Sequence, residues 1–581
     1  MPAKPDPQVP MHRYAFTKLD DNQIGAALAR VAATGPVSAS PLSDALKGKS
    51  IRIVTDGDGP ALAYRFTANN RLTLSENGGK AIEAGYGALV QDHLTLFTHL
   101  IPGTLRGYGV VIDNKSNIAT VVEMWFGGYK DKREVMRVIY AGYVEQAGKP
   151  APAARHVASN RFEGKGFYWK QDTGYETLDY YASVAYSHFV ELTGRGDELG
   201  FCGPSDYIQI NDDFYIYTRT ECEFSGTFTL YVVDLNRQEQ VGLRLGFDRT
   251  DAFEYYVFRG KGEWLGQIAQ FEKLGDTSGG ALPDPEGGGK GARRIYRPLT
   301  TMDKMTKAEV AAAVAKNRRV FAPRVGAGSG AAGMATHAAP PVDVLAGKTF
   351  TIRYDGGPVM DYRVESADTL NWRKDGGAWS KTRYNAWEPV PGVVMFGHLL
   401  ESEPDHDGHS IVVDMNNGCV TCFNGFLNTP YYANEAGVRT LFGVIDGANI
   451  PKAGTLRHAR TRELLGRAIT WNYAPNLSSM HLYSTPTTTS WLIFTDSGSL
   501  GMQWSGPGDF VKIRDDLYFL YWLEEACNGT LGTILVNMRT MHDTGIGYHC
   551  GKEGLSMSQV AAHARHAGLF DVQRFFPKKE G

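Results

Sequence analysis

The sequence predicts an all-β protein of antiparallel barrels, four of them in two tandem pairs, with short helices confined to an N-terminal arm and a central linker. Three observations predict it. The chain of 581 residues is written twice: GPSDYIQINDDFY at 203–215 returns as GPGDFVKIRDDLY at 506–518. The register then holds without a gap, setting Glu221 against Glu524, Val233 against Val536 and Gly242 against Gly545. Upstream, LKGKS at 46–50 meets LAGKT at 345–349, Tyr64 meets Tyr362, His99 meets His398 and Asp113 meets Asp414. So long a period is no solenoid unit; it marks two copies of a whole module. Second, each copy reads as two series of short β-runs broken by Gly, Asn and Asp, the pattern of sandwiches and barrels. Third, strands do not alternate with long helical patterns, which argues against a doubly wound sheet. Closure into a barrel removes exposed edges, and about 8 strands can enclose one small ligand.

In chain order, 1–40 is a Pro-rich arm followed by a short helical pattern with Ile24, Leu28 and Val31 on one side. The first β-block spans 41–156, with runs at 50–55, 61–67, 94–100, 109–112 and 118–126. The second spans 157–275. Residues 276–341 have linker composition, Gly/Ala/Pro-rich around a helical stretch at 307–318. Blocks 342–455 and 456–575 repeat the first two, and 556–566 again carries a helical pattern.

Composition excludes several classes. A formal charge of −3 with mixed signs disfavours nucleic acid and anionic membrane surfaces. No apolar run approaches the ~20 residues of a membrane span. The first twelve residues lack the apolar core of a signal peptide. Six cysteines in so long a chain do not make a disulfide framework, so a reducing, cytoplasmic setting is expected. Cys419-x-x-Cys422 has no second ligand pair, and on a strand its sulfurs face opposite ways. Glu286 to Lys290 lacks P-loop spacing. No metal or cofactor is expected.

The candidate site residues come from strand faces. By period two, Tyr215, Tyr217, Arg219 and Glu221 share one face, and Tyr518, Leu520, Trp522 and Glu524 share its counterpart. Arg219 beside Glu221 among tyrosines reads as the lining of a polar pocket or, alternatively, as a solvent-facing surface ion pair. Phe97 with His99, and Phe396 with His398, form a second pair of faces, where each His is a general acid–base or a satisfied core residue. Tyr64, Trp169 and Tyr181 join the substrate-lining candidates, while Asp113 and Asp414 read as hairpin residues.

Blocks 456–570 and 162–275 resemble the C-terminal domain of the MoaF family. The residues that carry this are His481-Leu-Tyr483, Thr489-Ser490-Trp491, Asp515-Asp516 through Glu524, and Val536-Asn537-Met538-Arg539-Thr540. Blocks 342–455 and 41–156 resemble its N-terminal domain, through LAGKTF at 345–350, Tyr362-Arg363 and Val413-Asp414. The resemblance implies a lipocalin-like, calycin-type barrel for every block. The N-type blocks are also similar to phenolic acid decarboxylases. That similarity implies substrate contact by Tyr354, catalysis by Glu401 and a role for Arg383; Ile352 stands where a second tyrosine belongs.

The reading that follows is a cofactor-independent lyase, isomerase or cyclase, acting by acid–base chemistry on a small aromatic or polycyclic hydrophobic metabolite. The alternative is a non-catalytic binding protein for a hydrophobic small molecule. A homodimer is allowed for; nucleic acid and membrane partners are not expected.

Overall fold

The computed structural model describes residues 19–577, except 68–69, 128–131, 160, 182–185, 194–199, 222–224, 249–251, 269–331, 404–406, 428–435, 476, 496–502, 525–529 and 552–553. It is an all-β molecule with closed antiparallel β-barrels. The eight strands from Ser50–Thr55 to Val135–Val144 form a closed barrel, the last pairing back on the first through Ile53 and Val144. Its interior holds Tyr64, Phe66, Phe97 and Tyr108. Strands 50–55, 94–100 and 118–126 fall where alternation and turn residues put them.

A second set of strands makes one twenty-stranded, barrel-like sheet with additional pairings between strands distant in its order. Lys165–Gln171 pairs with both Glu176–Tyr181 and Phe253–Ile268. Arg467–Ala474 pairs with both Leu477–Thr485 and His563–Phe570. The remaining nine-stranded sheet runs from Thr349–Tyr354 to Gly437–Gly447, which pair with each other. Its two end strands, Ser380–Arg383 and Asn385–Val390, are consecutive in the chain and flank Tyr384. They stand where the first copy has one unbroken strand, Ile82–Gln91.

Barrel faces that would meet water pack on one another instead. Phe214 and Ile216, on the outer side of Phe214–Thr220, join Leu94, Leu96 and Val111 of the first barrel in one core. The helix Asp21–Ala32 caps that core with Ile24, Ala27 and Leu28; it starts at an Asp20–Gln23 capping box. Phe519 and Tyr521 meet Phe423 and Val412 in the same way in the second copy.

The two halves join through their later barrels. Phe253–Ile268 pairs antiparallel with His563–Phe570 in the register Gly266↔Phe570, Gln267↔Leu569, Ile268↔Gly568. Because Gly266, Gln267 and Ile268 correspond in the repeat to Gly568, Leu569 and Phe570, each strand meets its own equivalent, and a local pseudo-twofold runs through Gln267 and Leu569.

The helical reading of 556–566 is corrected. Those residues lie in two strands, Gly554–Val560 and His563–Phe570. Leu555, Met557 and Gln559 are buried and Ser556 and Ser558 partly exposed, which is a two-residue period. Barrel closure overrides the local helical spacing. The helical stretch 307–318 and the Glu286–Lys290 segment lie outside the described residues. Among the described residues no helix is long and apolar enough to cross a membrane.

Candidate functional site

Tyr215, Tyr217, Arg219 and Glu221 are buried among the strands 165–268, which excludes the surface ion-pair alternative, since Arg219 is 0% exposed. Arg219 Nη1 donates to Asp179 Oδ1 at 3.0 Å and Nη2 to the Tyr231 hydroxyl at 2.9 Å. The Tyr217 hydroxyl donates to Asp179 Oδ2 at 2.8 Å, and the Tyr217 and Tyr231 rings stack at 4.2 Å. Trp169 Nε1 donates to the Tyr181 hydroxyl at 3.0 Å. Arg219 and Glu221 do form the expected ion pair, at 3.7 Å, beyond hydrogen-bond reach. Glu221 instead takes two hydrogen bonds from Arg244, at 2.5 and 3.0 Å, and one from Ser225 at 2.8 Å. Burial alone would raise the Glu221 carboxyl, yet the Arg244 charge and hydrogen bonds hold it below its ordinary value. Asp179 lies forty residues upstream of Arg219, beyond what strand period can connect. The interior is thus filled by its own ions and rings.

The N-type interiors diverge from each other. In the first barrel His99 Nε2 is 3.1 Å from the Tyr64 hydroxyl, and burial lowers the imidazole to about 4. Above it the barrel end is plugged. Arg106 grips Glu76 with both nitrogens, at 2.9 and 2.5 Å, while Tyr108 donates to Glu76 at 2.7 Å and Tyr140 reaches Glu123 at 3.3 Å.

The third block repeats His99 and Tyr64 as His398 and Tyr362, 3.2 Å apart, with His398 also lowered to about 4 by burial. Matched strand registers put Lys374 at the place of Glu76, Asp407 at Arg106, His409 at Tyr108, Asn424 at Glu123 and Leu441 at Tyr140. Every member of the plug is replaced, the charges are exchanged, and a cavity of about 420 Å³ opens there. Its wall combines Lys374, Asp407, His409, Asn424 and Arg439 with Met360, Leu400, Leu441 and Phe442, beside the turn 355–358.

In this cavity Asn424 Nδ2 donates to Asp407 Oδ1 at 3.0 Å, and Arg439 stands 3.8 Å from the same carboxylate. Burial raises the Asp407 carboxyl above its ordinary value, against the Asn424 hydrogen bond. Burial, then the neighbouring His398, pushes His409 well below its ordinary value, so it is neutral. His409 Nδ1 is buried without a hydrogen-bond partner, and the His398 and His409 rings are 5.5 Å apart. Arg460 closes the rim and is tied to Asp509 at 2.9 Å. The site therefore sits where the third and fourth blocks meet.

Of the other predicted site residues, Tyr354 is buried near His409, 6.3 Å between ring centres, and Ile352 faces the same core. Glu401 is half-buried in the turn after Val393–Leu399 and is not part of the cavity wall. Arg383 is exposed and paired with Asp368 at 2.7 Å, so its carried-over role is not supported by geometry. Tyr518 donates to Glu463 at 2.5 Å at one end of the last barrel, and Trp522 lies in that barrel's core. The Glu524 side chain lies outside the described residues. Asp113 and Asp414 are the turn residues expected, accepting from the backbone of Lys115 and Asn416. Sequence reasoning missed Lys374, Asp407, His409, Asn424 and Arg439. Comparing the two copies residue by residue, where Tyr108 becomes His409 and Arg106 becomes Asp407, is the signal that could have found them. Among the described residues no three His, Cys, Asp or Glu side chains are grouped to hold a metal ion.

Fold and cavity define an all-β barrel protein with a small-molecule-sized internal site. Residues 326–428 match the MoaF N-terminal domain and 458–569 the MoaF C-terminal domain. The second half of this chain belongs to the MoaF family. No curated protein matches the chain in sequence. Among solved structures, a candidate beta-lactamase from Burkholderia vietnamiensis is 16% identical over 18% of this chain and 95% of its own, with a TM-score of 0.15. The Nup133 beta-propeller domain of Vanderwaltozyma polyspora is 7% identical over 82% and 99%, with a TM-score of 0.09.

Proposed function

We propose that the protein is a tandem of two pairs of lipocalin-like barrels, divided near 156, 275, 341 and 455. We further propose that the third barrel is a cofactor-independent acid–base enzyme of the lyase, isomerase or cyclase class. Its substrate is a small aromatic or polycyclic hydrophobic metabolite. One observation carries this reading: the cavity of about 420 Å³ opens where the first copy is plugged, and it brings Asp407 and His409 to one wall. Its size is within the usual range for small-molecule sites. Met360, Leu441 and Phe442 supply apolar area for a ring system.

The chemistry follows from the protonation states. A carboxylate raised by burial is a stronger base, and an imidazole kept neutral by burial offers an N–H that polarises a carbonyl. With a ketone bound, the Asp407 carboxylate removes a proton from the carbon next to the carbonyl while the neutral His409 N–H hydrogen-bonds the carbonyl oxygen and carries part of the enolate charge. Asp407 returns the proton by the reverse path. Isomerisation, elimination and ring closure all use this step.

The alternative is a binding protein, in which the same wall only recognises the ligand. Proton exchange separates the two. 2-Tetralone, a neutral aromatic ketone, incubated with the protein in D2O reports exchange by loss of its α-proton NMR signals. The enzyme reading expects exchange above the buffer rate, lost in Asp407→Asn and His409→Phe. Saturable binding with exchange at the buffer rate refutes it in favour of the binder.

A further inference from the structure

The last barrel differs from its counterpart in the opposite sense from the third. Strand registers place His481 at the position of Asp179, Trp522 at Arg219 and Ile534 at Tyr231. The Asp179–Arg219 ion pair of the second block has no counterpart here, while Trp471 and Tyr483 repeat Trp169 and Tyr181. Four buried atoms there have no hydrogen-bond partner: His481 Nδ1, Thr489 Oγ1, Trp491 Nε1 and Asp543 Oδ2. The Trp471 indole is turned to the Tyr483 hydroxyl beside them. All six side chains are at most 3% exposed.

They share one interior. Trp471, Tyr483, Trp491 and Trp522 belong to a single core, and His481 lies against Trp522 edge-on at 5.0 Å. Asp543 pairs across from Val536 of the same core. An unpaired buried donor or acceptor is costly, so four in one interior mark a place that a polar-edged molecule fills.

We infer that the interior of the barrel formed by 467–570 is a second binding site, for a neutral aromatic molecule rich in carbonyl or other acceptor oxygens. Indole N–H groups can only donate, so Trp491 calls for an acceptor on the ligand. Asp543, pushed up to about 8 by burial, is protonated near neutrality and donates too. His481 is lowered to about 3 by burial and is uncharged. No Lys or Arg among the described residues of this block is buried, so nothing there balances an anion. Trp471, Trp491 and Trp522 supply flat faces for a ring. The site is independent of the third-barrel cavity, whose wall carries Lys374 and Arg439.

The test uses 7-methoxycoumarin, a neutral aromatic lactone, with the full chain. Binding is read by tryptophan-to-coumarin energy transfer and by calorimetry. The expected result is saturable binding that weakens at least tenfold in Trp491→Phe and in Asp543→Leu. It is abolished in Ile534→Trp, which fills the interior, while circular dichroism and the unfolding midpoint report that each variant folds. Leu441→Tyr, in the third barrel, leaves this binding unchanged. The anionic analogue 2-naphthoate gains nothing from this site. No saturable binding up to millimolar probe overturns the inference, because ordered water then satisfies these groups. So does binding that survives both Trp491→Phe and Ile534→Trp.

Discussion

Asp179 and Arg219 form an ion pair at 3.0 Å inside the second barrel, and the equivalent places in the fourth hold His481 and Trp522. One architecture therefore carries a charged, ion-paired interior in one copy and an uncharged aromatic one in the other. The N-type barrels diverge in parallel, plugged in the first copy and hollow in the second.

Removing one member of a buried pair leaves the other charge uncompensated, at a cost of about 3–5 kcal/mol. Asp179→Ala should lower the unfolding free energy by that amount in urea. Asp179→Leu with Arg219→Met should recover most of it. Equal losses in the single and double variants would contradict the assignment of Asp179 as the partner of Arg219.

Phe570 sits edge-on to Tyr180 at 5.0 Å, in the core that joins the two halves. Phe570→Ala should cost about 3–5 kcal/mol. It should also let the halves unfold in separate steps, seen as two calorimetric transitions in place of one.

The fold was largely legible in the sequence because strands, turns and the repeat are local or periodic signals. Ser50–Thr55, Leu94–Leu100 and Ile118–Phe126 need only alternation and flanking turn residues. The closing strands 554–570 were not legible, since spacing around Met557 and Val560 suits a helix until a barrel edge supplies partners. At the site, the burial of Tyr217 and Arg219 was legible from duplication and period. Their hydrogen-bonded partner was not: Asp179 arrives through strand pairing across the sheet, a contact set by topology. The cavity was invisible for a related reason. It comes from side chains that are smaller or oppositely charged than those of the first copy, and only the folded registers bring them together.

Acidification should destabilise the protein between about pH 6.5 and 4. His99, His156, His398 and His458 are each lowered to about 4, and His481 to about 3, all chiefly by burial. Below pH 6.5 the unfolded state takes up protons that the folded state refuses, so stability falls with pH until the folded values are reached. His398→Phe should shallow that slope in urea midpoints measured across the range. Asp543 acts the other way: its raised value means stability is lost as pH rises from about 4 through 8. Asp543→Leu should remove that component. An unchanged slope in either variant would contradict the neutral, buried state assigned to that residue.

Leu441 stands in the third barrel where Tyr140 helps plug the first. Leu441→Tyr should fill the cavity with little effect on the unfolding midpoint, because it adds volume to open space. 2-Tetralone binding should weaken at least tenfold. Full affinity in this variant would place the ligand elsewhere.

The central claim is that Asp407 moves protons on a ligand held in that cavity while His409 polarises its carbonyl. The direct measurement is the deuterium exchange rate of 2-tetralone in D2O with the wild type, Asp407→Asn and His409→Phe, each at saturating protein. The account predicts exchange above buffer for the wild type, and a fall of at least a hundredfold in the enzymatic component for both variants, with binding retained in Asp407→Asn. Exchange at the buffer rate by a wild-type protein that binds the ketone, or undiminished exchange in both variants, would contradict it.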